Sequence, residues 1–182
     1  MKIFTDTIAK EIGKVLLKHK IPINIEEEIK GRGIKLEKYC VDLEDSVLGE
    51  IKKEGESYVI NIQALDHYYR KRFTMAHELG HFELHKDLLG DGVDETKEYT
   101  RLYRRNNRIS ISEEVEANKY AADKLMPELA IKEVSSLVQV INKDGEIDLN
   151  ILDYLYKKFQ VSKTALANRL RTLFKEGKLS TN

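Results

Sequence analysis

The chain has 182 residues, 41% of them hydrophobic and 34% charged, and its 31 basic and 31 acidic residues balance. That length favours one domain with a small appendage, and the neutral balance gives no global field for nucleic acid or membrane. A single cysteine, Cys40, excludes an internal disulfide framework, and the N-terminus shows no apolar run of signal or membrane-span length, so the expected compartment is the cytoplasm.

In chain order, Ile8, Ile12, Val15 and Leu16 form a helical stripe over residues 5–19, ended by Pro22. A short helix is predicted over 24–30, closed by Gly31-Arg32-Gly33, and a strand over 34–41. Cys40 falls in that strand and reads as a core residue, because nothing nearby activates it. Residues 47–53 and 57–63 flank Glu54-Gly55-Glu56, and the second segment alternates through Tyr58, Ile60 and Ile62. This is the pattern of a β-hairpin. It either offers a strand edge to an extended peptide or only covers the core.

The next helix, predicted from about Asp66 to His85, carries His77-Glu78-Leu79-Gly80-His81. Histidines four apart lie on one side of a helix, about 6 Å apart along the axis. Both can reach one zinc ion, and the glutamate between them can reach a water there, the HExxH arrangement of zinc peptidases. A third protein ligand is required. His85 continues the series but sits about 12 Å along the helix from His77, too far for one ion with nitrogen contacts near 2 Å.

The better source is the helix predicted from Ser110 or Ser112 to Pro127. On a wheel of about 100° per residue, Val115, Ala117, Ala121, Ala122, Leu125 and Met126 mark the buried arc. Glu114 and Asn118 fall within it, while Glu113 and Glu116 point away. A buried carboxylate without a partner is costly, and a metal offsets that cost. Glu114 is therefore the expected third ligand, ahead of Glu116. Asn118, one turn on, is placed to hold the free ring nitrogen of a ligating histidine. Ala117 and Ala121 are small enough for the two helices to approach closely.

These two stretches carry a resemblance. Arg72-Phe73-Thr74-Met75-Ala76-His77-Glu78-Leu79-Gly80-His81-Phe82-Glu83-Leu84-His85, followed by Glu114-Val115-Glu116-Ala117-Asn118 and by Leu125-Met126-Pro127, resembles the ImmA/IrrE family of zinc metallopeptidases. The likeness is strong over roughly 70–127 and weaker outside it. It implies an α+β, zincin-like peptidase domain with a small antiparallel sheet. It also implies cleavage of a helix-turn-helix transcriptional repressor in a phage, mobile-element or stress-response circuit. One zinc ion per chain, held by His77, His81 and Glu114, would activate a water. Glu78 would take its proton and deliver it to the leaving amine. A second oxyanion donor is sought among Tyr99, Tyr103, Arg101, Arg104, Arg105 and Arg108, and substrate choice within 86–112.

The remainder reads as helical: 128–141, then 149–159 after Asp144-Gly145, then 163–175 after Gln160-Val161-Ser162. Ser162 is a candidate N-cap, with Val161 and Leu166 as a hydrophobic staple. The expected division is thus a peptidase domain over 1–127 and a helix-turn-helix-like region over 128–182. Residues 150–182 hold seven Lys/Arg against two Asp/Glu. The stripe Thr164, Asn168, Arg171 and Lys175 is a candidate contact for DNA or for a protein partner, although such stripes are commonly solvated faces. Two further readings stand beside the repressor-cleaving peptidase: a DNA-binding regulator with a structural or vestigial zinc site, and a zinc-dependent module that sequesters its partner uncut.

Overall fold

A computed structural model describes residues 5–41, 43, 47–89 and 110–179. Helix α1 (Asp6–Lys18) starts at Thr5, whose hydroxyl accepts from the Ile8 N–H, and buries Ile12 and Leu16. Helix α2 (Ile25–Lys30) is capped by the Asn24 side chain accepting from Glu27 N–H and buries Ile25 and Ile29. In both, the cap satisfies an N–H that the first turn leaves unpaired.

Strands β1 (Lys35–Cys40), β2 (Gly49–Glu54) and β3 (Ser57–Gln63) form one sheet in the order β1-β3-β2. The predicted hairpin is present, with Ile51 opposite Ile60 and Glu54 opposite Ser57. Because Glu54 is paired, the loop contracts to Gly55 and Glu56, and Gly55 takes a φ of 62° that side-chain-bearing residues rarely adopt. The α+β expectation holds, but the sheet is mixed rather than wholly antiparallel. With β2 on one side of β3, β1 takes the other and runs parallel to it, Lys35 opposite Val59. The hairpin turn could be read from sequence, whereas the direction of β1 depends on a non-local pairing with no local signal.

Helix α3 (Tyr68–Leu84) packs on β2, β3 and α2. It is followed by a short 3₁₀ turn, Lys86–Leu88. Helix α4 (Ile111–Leu125) starts at Ser110, whose hydroxyl accepts from Ser112 N–H at 3.2 Å, while Glu113 reaches back to Ser110 N–H. This is a reciprocal capping pair. Helices α5 (Glu128–Leu137), α6 (Leu149–Phe159) and α7 (Lys163–Lys175) complete the fold.

Helix α5 is shorter than the 128–141 expected. Val138 is already extended, and Ile141 forms a β-bridge with Ile147. The β-branched residues Val138, Val140 and Ile141 are buried in that extended course, which suits their restricted χ1 better than a further helical turn. Between them Asn142 Oδ1 accepts from the N–H groups of Asp144 and Glu146.

The chain divides into two compact units, residues 24–121 and residues 1–23 with 122–182. In the first, Ile51, Ile60, Ile62, Met75, Ala76 and Leu79 form the core under α3. In the second, α1 packs on α5 and α6 on α7, around Ile131, Ile151, Leu155, Phe159, Leu166 and Leu170. The sequence assigned α1 to the 1–127 region; its contacts lie with the C-terminal helices, including Tyr154 donating to the Ala9 carbonyl at 3.1 Å. Among the described residues, no helix is long and apolar enough to cross a membrane.

Candidate metal centre

Helix α3 begins where His67 Nδ1 accepts from the Tyr69 N–H at 3.2 Å, and runs unbroken through the HExxH turn. The i, i+4 spacing puts the two imidazoles edge to face, with ring centroids 4.6 Å apart. Their Nε2 atoms are 3.0 Å apart. Helix α4 brings Glu114 to the same point, its carboxylate oxygens 3.5 Å from His77 Nε2 and 3.4 Å from His81 Nε2.

The donor atoms of these three residues all lie within 4.8 Å of one another. A tetrahedral zinc with ligands at about 2.0–2.1 Å separates its donors by roughly 3.3 Å. The two Nε2 atoms, 3.0 Å apart, and the nearest Glu114 oxygen to each, Oε2 at 3.5 Å from His77 and Oε1 at 3.4 Å from His81, have spacings of that order. Two imidazole nitrogens and one carboxylate oxygen suit zinc and leave one position of the tetrahedron for a non-protein ligand. No other cluster of three His, Cys, Asp or Glu side chains among the described residues meets the same condition.

The close approach of α3 and α4 has a specific cause. A Cβ on Gly80 would lie 3.2 Å from the Cα and the carbonyl oxygen of Ala117 and 3.2 Å from Tyr120 Cβ. Glycine facing a fully buried alanine therefore sets the helix separation that lets Glu114 span to both histidines. Arg32, which donates to the Glu28 carbonyl of α2, also pairs with Glu83 of α3 and so ties the two helices together. At the sheet, a Cβ on Gly49 would meet Thr74 Cγ2 at 2.5 Å. The start of β2 thus lies against α3, one turn before Glu78.

The electrostatics follow from burial and from these contacts. Glu114 sits well below the ordinary carboxylate range because His77 and then His81 hydrogen-bond to it. His77 is drawn down by burial, but its Glu114 contact and the charges of Glu78 and Glu114 outweigh that and raise it. Glu78 is 3% exposed, and its Oε2 has no partner among the described residues. Burial pushes its carboxyl upward, opposed by His77 and His81 and supported by the charges of Glu114 and Glu50. An unpaired buried carboxylate is unfavourable for folding, and a group made more basic suits proton transfer near neutral pH.

Asn118 Oδ1 lies 3.2 Å from His77 Nδ1. With His77 Nε2 turned to the three-donor centre, Nδ1 carries the proton and the Asn118 oxygen accepts it, fixing the ring. The buried arc of α4 is narrower than the wheel predicts. Ala117, Ala121 and Leu125 are fully buried, but Val115 is 60% exposed and Asn118 is also exposed. The arc is set by the Gly80 crossing, which only small residues can face, and Val115 falls outside it.

His85 stands at the C-cap of α3, buried, with Nε2 3.8 Å from Glu116 Oε2, and is no part of the donor triangle. Glu113 is taken up by the cap at Ser110. Sequence reasoning did not single out Glu50, whose charge acts on Glu78; a carboxylate in an alternating strand carries no local mark of such a role. The aromatic and arginine candidates for an oxyanion donor, from Tyr99 to Arg108, lie outside the described residues, as does most of the expected substrate-selecting segment. Thr164, Asn168, Arg171 and Lys175 are all exposed on α7 and belong to the other unit.

Comparison with known proteins adds one finding. A peptidase family model described as the IrrE N-terminal-like domain matches residues 29–171, which include both halves of the donor triangle. No match is found among curated proteins.

Proposed function

The chain belongs to the IrrE N-terminal-like peptidase family, and from that premise we propose that it is a zinc endopeptidase that cuts a helix-turn-helix transcriptional repressor. The observation that carries the zinc assignment is the convergence of His77, His81 and Glu114: the two Nε2 atoms are 3.0 Å apart, with Glu114 Oε2 3.5 Å from the first and Oε1 3.4 Å from the second. The repressor as substrate rests on the resemblance to the ImmA/IrrE family carried by the HExxH stretch and by Glu114 to Asn118.

Held by His77, His81 and Glu114, zinc would supply the Lewis acidity that makes a water nucleophilic near neutral pH. Glu78 accepts the proton of the attacking water and delivers it to the leaving amine. Burial keeps competing water from the Glu78 carboxylate. Asn118 holds the His77 ring, and Gly80 holds α4 at the distance that Glu114 needs. In the sheet, β3 is paired on both sides, so β1 and β2 each keep one edge free of strand partners among the described residues, and of the two it is β2 that packs on α3. An extended peptide hydrogen-bonded along β2 would lie beside α3.

The test is incubation of the purified protein with a candidate repressor, with zinc and with chelator. Metal-dependent fragments that disappear in Glu78→Gln support the proposal. A stable complex without fragments would replace it with the sequestering module.

A further inference from the structure

Helix α7 presents a face that the peptidase chemistry does not use. Its inner side, Leu166, Ala167, Leu170 and Leu173, is buried. Its outer side carries Thr164, Asn168, Arg171 and Lys175 at helical spacing, all exposed. No acidic residue occurs between Lys163 and Lys175. The single buried cation of the helix, Arg169, is neutralised by Asp123 at 2.6 Å and donates to the Met126 carbonyl. Arg171 and Lys175 make no ion pair among the described residues, so their charge is directed outward.

The preceding turn is built for a helix-turn-helix. Helix α6 stops at Gln160, which takes a left-handed φ of 54°. Val161 is fully buried, as is Leu166, the pair expected of a hydrophobic staple. Ser162 Oγ then accepts from Ala165 N–H at 3.0 Å and starts α7. A three-residue turn between packed helices, the second outwardly polar and basic, is the form that enters a major groove. Threonine and asparagine reach base edges, and arginine and lysine reach phosphate.

We propose that the outer face of α7 binds double-stranded DNA, with Arg171 and Lys175 on phosphates and Asn168 at the base edges. This surface is independent of the zinc site, so it stands whether or not the chain cleaves a repressor. Charge complementarity favours DNA over an apolar protein partner, since the stripe contains no hydrophobic residue.

The experiment is fluorescence anisotropy of the full chain with a labelled mixed-sequence duplex of about 24 base pairs, at salt from about 50 to 200 mM. Non-specific binding in the micromolar range is expected at the lower salt. Two phosphate contacts predict a log–log slope near −1.8, hence roughly a tenfold loss over that fourfold rise in salt. Arg171→Glu with Lys175→Glu should abolish most of the binding and the slope, and the milder Arg171→Gln with Lys175→Gln should weaken it about tenfold, with circular dichroism confirming the fold. Lys10→Glu with Lys14→Glu, a reversal of two exposed α1 cations, should leave binding intact. The proposal is overturned by absent binding at about 100 μM protein and low salt, the weak end of non-specific affinity. It is also overturned if the α1 and α7 variants weaken binding equally, or if the α7 variants slow repressor cleavage while duplex affinity is unchanged. That last result would assign the face to a protein partner.

Discussion

Glu78 and Arg169 are both buried, charged and helical, yet the two units treat them in opposite ways. Arg169, 6% exposed, has its charge met by Asp123 and its Nε–H by the Met126 carbonyl. Glu78, 3% exposed, has an oxygen with no partner among the described residues and sits beside two histidines whose Nε2 atoms turn to one point. A paired buried charge holds a fold together, while an unpaired one costs stability and persists where chemistry requires it.

The comparison predicts opposite signs on substitution. Glu78→Gln removes the proton carrier and should lower cleavage by a factor of about 10²–10⁴. It should also leave the melting temperature of the metal-free protein unchanged or higher, because it removes the charge that burial disfavours and Oε2 has no hydrogen-bond partner among the described residues; both are read from one preparation, by fragment yield and thermal denaturation. Arg169→Ala should do the reverse. Loss of the pair should destabilise the protein by about 2–3 kcal/mol in denaturant titration. That is below the roughly 3–5 kcal/mol of a pair buried on both sides, because Asp123 is 39% exposed. Catalysis per folded molecule should be retained. A stability loss in Glu78→Gln as large as in Arg169→Ala would erase the distinction.

Smaller effects sharpen the zinc side. Asn118→Ala frees the His77 ring and should weaken zinc binding about 10–100-fold, measured by competition with a chromophoric chelator. The smallest is a pH effect. Zinc requires neutral His77, whose pKa is raised, so affinity should fall below that pKa by up to about tenfold per pH unit, one proton being displaced. In the metal-free protein, His77 contributes stability below its ordinary value of 6.5 that is lost as pH rises through the raised one. Glu114 contributes above its ordinary value of 4.5 and loses it as pH falls toward the depressed one. Metal-free stability should therefore peak between these ordinary values, and zinc should shift the optimum upward.

Much of this was legible in the chain because the signals are local. The i, i+4 spacing of His77 and His81, the position of Glu114 on its wheel, the cap at Ser162 and the hairpin at Gly55 need only neighbouring residues. What escaped depends on distant contacts. The parallel course of β1 rests on its non-local pairing with β3. The early end of α5 follows from the pairing of Ile141 with Ile147. The exposure of Val115 follows from the Gly80 crossing, which narrows the face of α4 that can be buried. Gly80 stood inside the motif, but that a Cβ there meets Ala117 emerges only with both helices in place.

X-ray absorption at the zinc edge of the protein loaded with one equivalent of zinc tests the central claim most directly. The account predicts one tightly held ion per chain with two imidazole nitrogens, a carboxylate oxygen and one further light atom at about 2.0–2.1 Å. It also predicts loss of the ion in Glu114→Ala and its retention in Glu116→Ala. Retention in Glu114→Ala, or a shell including the Cys40 sulfur, would contradict it.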